Sequence, residues 1–107
     1  MRMMMQITIP VEAGNHAAQT GAFGPAFQSI LAELKPEAAY FTTMENGERG
    51  GFIVFDLADT SQIPGIAEPF FLAFNACVKL TPVMNAQDLA NAAPGIEKAV
   101  QAHAARA

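Results

Sequence analysis

His16 follows Glu12 and Asn15, and this is the first place in the chain where side chains could do acid–base chemistry. An imidazole titrates near neutrality, and a neighbouring carboxylate can orient it as a general base. An exposed loop histidine is the plainer alternative, because no recognisable motif surrounds the pair. Asp56, at the end of an apolar run, and Glu68, in Ala67-Glu68-Pro69, are the other carboxylates placed as catalytic candidates, with Glu12 or Glu68 the proton carrier of an isomerase-like reaction. For Glu68, and for Glu37 in Lys35-Pro36-Glu37, the structural alternative is to receive backbone N–H groups or to pair with Arg49. A second group is polar and alternates with apolar neighbours: Thr8, Tyr40, Thr42, Lys79 and Thr81. On one sheet face these residues would line a cavity for a small polar ligand, or else a partly hydrated dimer interface.

Other chemistries find no support. Cys77 is the only cysteine, so no internal disulfide or cysteine cluster can form, and it reads as a small buried hydrophobe. Metal-ligand spacing such as His-x-x-x-His is missing, and Gly47 to Gly51 matches neither a phosphate loop nor a dinucleotide fingerprint, so no metal and no cofactor are expected.

The elements that must position these residues follow from periodicity. Met3, Met5, Ile7 and Ile9 alternate with Met4, Gln6 and Thr8, the pattern of a strand over 3–11 whose apolar set faces a core. A connection over 12–24 carries Gly14, Gly21 and Gly24, with at most a turn of helix at His16–Gln19. From Pro25, the residues Phe27, Ile30, Leu31 and Leu34 recur at helical spacing, extend a stripe begun by Phe23, and end at Lys35-Pro36. Strands over 38–44 and 51–57 flank Glu45-Asn46-Gly47-Glu48, whose Asn-Gly suits a tight hairpin. Gly50 and Gly51 read as part of that turn chemistry. Phe52 to Leu57 is nearly all apolar, which predicts a central strand covered on both faces. A helix over 61–75 is expected to kink or split at Pro69. A last strand over 76–83 sets Ala76, Val78 and Leu80 against Cys77, Lys79 and Thr81. Asn85 to Asp88 has capping-box spacing, and a helical tail broken at Pro94-Gly95 runs to Ala107.

Composition bounds the partners. The 107 residues make one domain, 1–107, with a core over 3–83 and an extension over 85–107. Hydrophobic residues are 51% and charged ones only 15%, a deficit that an oligomer interface would explain. The net charge of −4, with basic residues scattered singly, argues against nucleic acid. With no membrane-length apolar run and no secretory pattern, the expected home is the cytoplasm.

The order βαββαβ, with two interleaved split βαβ units, is the ferredoxin-like arrangement: α+β, a four-stranded antiparallel sheet of order 4-1-3-2 and both main helices on one face. With an apolar third strand added, the chain resembles the dimeric α+β barrel superfamily, and Ile9-Pro-Val-Glu-Ala-Gly-Asn15, Lys35-Pro-Glu-Ala-Ala-Tyr-Phe41 and Ala67-Glu-Pro-Phe70 resemble a group of short bacterial proteins without an established activity. That resemblance implies a homodimer through the sheet face, with a small-molecule ligand between paired sheets. It also admits a cofactor-independent isomerase or monooxygenase, or an interaction module. Monooxygenases and haem degraders of that superfamily typically use a tryptophan, and this chain has none.

Overall fold

Alternation in the first segment builds the centre of the sheet. A computed structural model describes residues 1–103. Strand β1 (Arg2–Ile9) buries Met3, Met5, Ile7 and Ile9 on one face and leaves Met4, Gln6 and Thr8 half exposed on the other. Helices α1 (Val11–Gln19) and α2 (Phe23–Leu34) lead to strands β2 (Ala38–Thr43) and β3 (Arg49–Asp56). A 3-10 turn (Thr60–Gln62), helix α3 (Ile63–Phe74) and strand β4 (Cys77–Pro82) follow, and helices α4 (Ala86–Asn91) and α5 (Ala93–His103) close the described chain. The four strands pair antiparallel in the order β2-β3-β1-β4, the expected order read from the other edge.

The core lies between one sheet face and the helices α1, α2 and α3. Met5, Ile7, Ile53 and Phe70 are fully buried there, and Phe55, Phe74 and Ile9 nearly so. Phe27 of α2 is the hub of the aromatic part: its ring stacks on Phe74 at 4.9 Å, meets Phe41 of β2 edge-on at 5.2 Å and lies 6.1 Å from Phe70. Among the described residues no polar or charged side chain is buried.

Several local expectations give way to tertiary contacts. A helix, α1, forms where the glycines predicted a connection. Gly14 is buried within it because the Arg49 guanidinium lies across its Cα, 2.6 Å from where a Cβ would stand. Arg49 also donates to Asn15 Oδ1 at 3.2 Å, and the Val11 N–H donates to Glu48 Oε2 at 3.2 Å. A carboxylate at a helix N-terminus is favourable, and these contacts offset the helix cost of a glycine, about 1 kcal/mol. Helix α2 begins two residues before Pro25, at Phe23. Its end is as expected, with Lys35 in the left-handed region at φ 50° before Pro36.

The hairpin takes a three-residue loop, Glu45-Asn46-Gly47. The Gly47 N–H donates to Met44 O, Met44 N–H donates to Glu48 O, and only Gly47 has positive φ, at 82°. That is a bulged turn and not the two-residue primed turn. Gly50 and Gly51 are strand residues instead of turn residues: a Cβ on Gly50 would strike the Ile7 carbonyl, and one on Gly51 the Tyr40 carbonyl. Helix α3 runs through Pro69 unbroken, with the Gly65 carbonyl left without the bond that an N–H at position 69 would give it. The helical tail breaks at Ala92, just ahead of Pro94-Gly95, and Pro94 sits in the first turn of α5, where no N–H is needed from it. The part of the expected tail over 104–107 lies outside the described residues.

The entry to α3 is capped by charge. Asp59 Oδ1 accepts the Ser61 N–H at 2.8 Å, and Gln62 Oε1 accepts the Asp59 N–H at 3.2 Å. The Ser61 N–H, which bonds only the ionised form well, holds the Asp59 carboxyl below its ordinary 3.8. A carboxylate with a depressed folded value stabilises the fold above the ordinary value, and that contribution is lost as pH falls through 3.8 and below. A carbon-detected NMR titration is therefore expected to place the Asp59 midpoint under 3.8, and the Asp59→Ala variant to lose that part of the acid sensitivity of folding. A midpoint at or above the ordinary value refutes the cap.

Candidate functional site

The sheet face away from α1, α2 and α3 is the candidate site. Register decides what it carries. In antiparallel strands, directly paired residues share a face. One row across the sheet is Tyr40, Phe52, Gln6 and Lys79; the next is Thr42, Gly50, Thr8 and Cys77; the row on the other side is Ala38, Val54, Met4 and Thr81. Thr8, Tyr40, Thr42, Lys79 and Thr81 therefore stand together on this open face. Tyr40 is 68% exposed, Thr42 and Lys79 are exposed as well, and Thr8 and Thr81 are half-buried.

This face is hollowed toward its hairpin end. Gly50 contributes no side chain to its row, and a cleft of about 320 Å³ is lined by Gln6, Thr8, Met44, Glu45 and Asn46. The Met44 side chain lies over Gly50, where a Cβ would press on its Cγ. Carbonyl, hydroxyl and carboxylate groups surround an apolar thioether, a lining able to hold a small molecule with polar substituents. Gln6 joins the site through its alternation with Ile7. Met44, Glu45 and Asn46 enter it through the bulged loop, a contribution that the Asn-Gly signal did not announce.

The acid–base candidates do not converge. Glu12 and His16 are exposed on α1 and Glu68 on α3, all in the helix layer. Asp56 shares the open face by parity but sits at its end, where its Oδ1 accepts a bond from the Met1 ammonium at 2.9 Å. Tyr40 and Lys79 lie on opposite edge strands, three strand spacings or roughly 14 Å apart, too far to act together within one chain. Cys77 is exposed on this face and not buried, because β4 is an edge strand and its parity turns the thiol away from the helices. Phe52 and Val54 are half-buried on this same face, so β3 is covered on the helix side alone. Among the described residues, no three His, Cys, Asp or Glu side chains converge on a metal-sized site.

No protein-family model matches the chain, and no curated protein is significantly similar to it in sequence. Solved structures do match in shape. A 5-chloro-2-hydroxyhydroquinone dehydrochlorinase from Burkholderia phenoliruptrix, solved in complex with 2,5-dihydroxybenzoquinone, superposes with a TM-score of 0.61 over 81% of this chain and 97% of that one, at 15% identity. The fold is ferredoxin-like. A formyltetrahydrofolate deformylase from Pseudomonas putida matches with a TM-score of 0.45 at 13% identity, over 77% of this chain and 28% of that one. At such identities the likeness concerns the fold alone. Among the described residues, no helix of this ferredoxin-like chain is long and apolar enough to cross a membrane.

Proposed function

We propose that the protein works as a homodimer paired through its open sheet faces, with a small organic ligand held between them over Gln6 and Thr8. The observation that carries this reading is the open face itself. Three helices cover one side of the sheet, while the other presents Met4, Phe52 and Val54 half-buried beside Tyr40, with a cleft beside Gln6 and Thr8. Apolar strand residues on an uncovered face favour a covering layer, and a second sheet would supply one. A cleft of about 320 Å³ closed by a partner is the right size for one substituted ring. A chain of the same fold is known with a dihydroxybenzoquinone, which supports the capacity of the architecture for such a ligand. Binding is favoured over isomerase or monooxygenase catalysis because Glu12, His16 and Glu68 stand in the helix layer, away from the hollow. An exposed, solitary Cys77 suits the reducing cytoplasm.

The test begins with sedimentation of the full chain, for which a dimer is expected; a stable monomer overturns the reading. Native mass spectrometry of gently purified protein, with a thermal-shift panel of phenols and small carboxylic acids, is expected to reveal a bound molecule. Thr8→Phe fills the hollow and is expected to weaken that ligand about tenfold or more while the protein stays folded. A dimer that holds no ligand in either assay would instead be an interaction module.

A further inference from the structure

The segment after β4 leaves the body of the molecule. Neither α4 nor α5 buries a residue, and the described chain measures 62 × 29 × 22 Å. Its radius of gyration is 18.1 Å, against about 13 Å for a compact domain of this length. The two helices form an arm, and the arm is amphipathic. Ala93, Ile96, Val100 and His103 recur along one side of α5, with Pro94, Lys98 and Gln101 opposite. Ile96 is 55% exposed and Val100 54%, with Leu89 of α4 at 55% and Met84 at 67%. Helices of 6 and 11 residues without tertiary packing are marginal in water, where even good helix formers need about 12–15 residues. A stable arm requires a surface against its stripe, and its own chain provides none among the described residues.

We propose that this arm clasps the second subunit of the dimer, laying the Leu89, Ile96 and Val100 stripe on the partner's flank. The inference rests on the sheet-paired dimer described above, and two observations commit it to a second copy. The first is where the arm is rooted. Arg2, on the open face at the end of β1, donates to Glu37 at 2.9 Å and to Asp88 of α4 at 3.4 Å, and the Asn85–Asp88 capping box starts the helix at that spot. The arm thus departs from the rim of the very face that a partner would cover. The second is area. Four strands of six to eight residues give the sheet face a plane footprint of roughly 400–500 Å². A stable dimer buries about 800 Å² of accessible surface per partner, and the arm's apolar stripe, continuous with the rim of that face, adds to what the sheets bury.

The experiment uses the full chain with Ile96→Asp and Val100→Asp combined, and reads the dimer dissociation constant by sedimentation. The expected result is a dimer dissociation constant raised roughly 100-fold, with loss of helical circular dichroism and a folded sheet. Isotope-filtered NMR on a mixture of labelled and unlabelled wild-type chains is expected to show contacts from the Ile96 methyls to the other copy. A wild-type monomer would overturn the sheet-paired dimer and the clasp together. A dimer that the double variant leaves unchanged, or Ile96 contacts confined to one chain, would overturn the clasp alone.

Discussion

Gly50→Ala is expected to cost about 3 kcal/mol or more of folding stability, a large share of the roughly 5–15 kcal/mol a small domain possesses. A single methyl has this effect because Gly50 sits in the second strand from one edge, paired with Thr8 on one side and Thr42 on the other. Its Cβ would meet the Ile7 carbonyl oxygen, a backbone atom that cannot step aside without moving β1. It would also meet Met44 Cγ, which rests in the hollow of the open face. The constraint is closeness of approach, since Gly50 is not among the residues with positive φ. Gly65→Ala is the control: nothing lies within 4 Å of its Cβ position, and in a helix the change should gain about 0.5–1 kcal/mol. Urea denaturation of the two variants reads both effects. If Gly50→Ala loses less than about 1 kcal/mol, the strands do not approach as closely as described. The same variant should lower affinity for any ligand of the hollow, because displaced Met44 would occupy it.

Phe27→Ala is expected to cost about 3–5 kcal/mol and to lower the melting temperature by about 15 °C or more. Phe27 is only 8% exposed, and its ring joins three elements: its own helix α2, Phe74 and Phe70 of α3, and Phe41 of β2. Removing it leaves a cavity among rings that cannot collapse independently, since Phe74 and Phe70 are held by the sheet core. Phe41 is 53% exposed, and its edge contact with Phe27 ties α2 to the edge strand β2 that presents Tyr40 and Thr42. Thermal unfolding followed by circular dichroism measures the loss. A melting temperature within a few degrees of the wild type would mean that the aromatic cluster does not join the layers.

The two variants show which parts of the molecule were legible from residue order. Met3, Met5, Ile7 and Ile9 declare their buried face by strict alternation, because a strand has only two faces and one of them must leave water. The Phe27-to-Leu34 stripe and the stop at Lys35-Pro36 are likewise local. Parity then carried Thr8, Tyr40, Thr42, Lys79 and Thr81 onto one face, since antiparallel pairing keeps partners on the same side. Helix α1 was illegible for a definite reason. Its glycine is unfavourable in isolation and becomes useful only when Arg49, distant in sequence, lies across it. The acid–base candidates failed to converge for the converse reason: Glu12 and His16 share α1, Glu68 lies on α3 and Asp56 ends β3, and spacing along the chain does not report distance between elements.

Residue order alone carried the four strands, helices α2 and α3, the ferredoxin-like topology and the composition of both sheet faces, because periodicity and chain connectivity are local properties. That Gly50 and Gly51 are points of close strand approach, that a hollow opens beside Thr8, and that the segment after Pro82 extends away as an arm with an uncovered apolar stripe emerges only in the folded chain. Those features depend on how close two backbones come and on which surfaces find no partner, and such distances exist only once every element has been placed against the others.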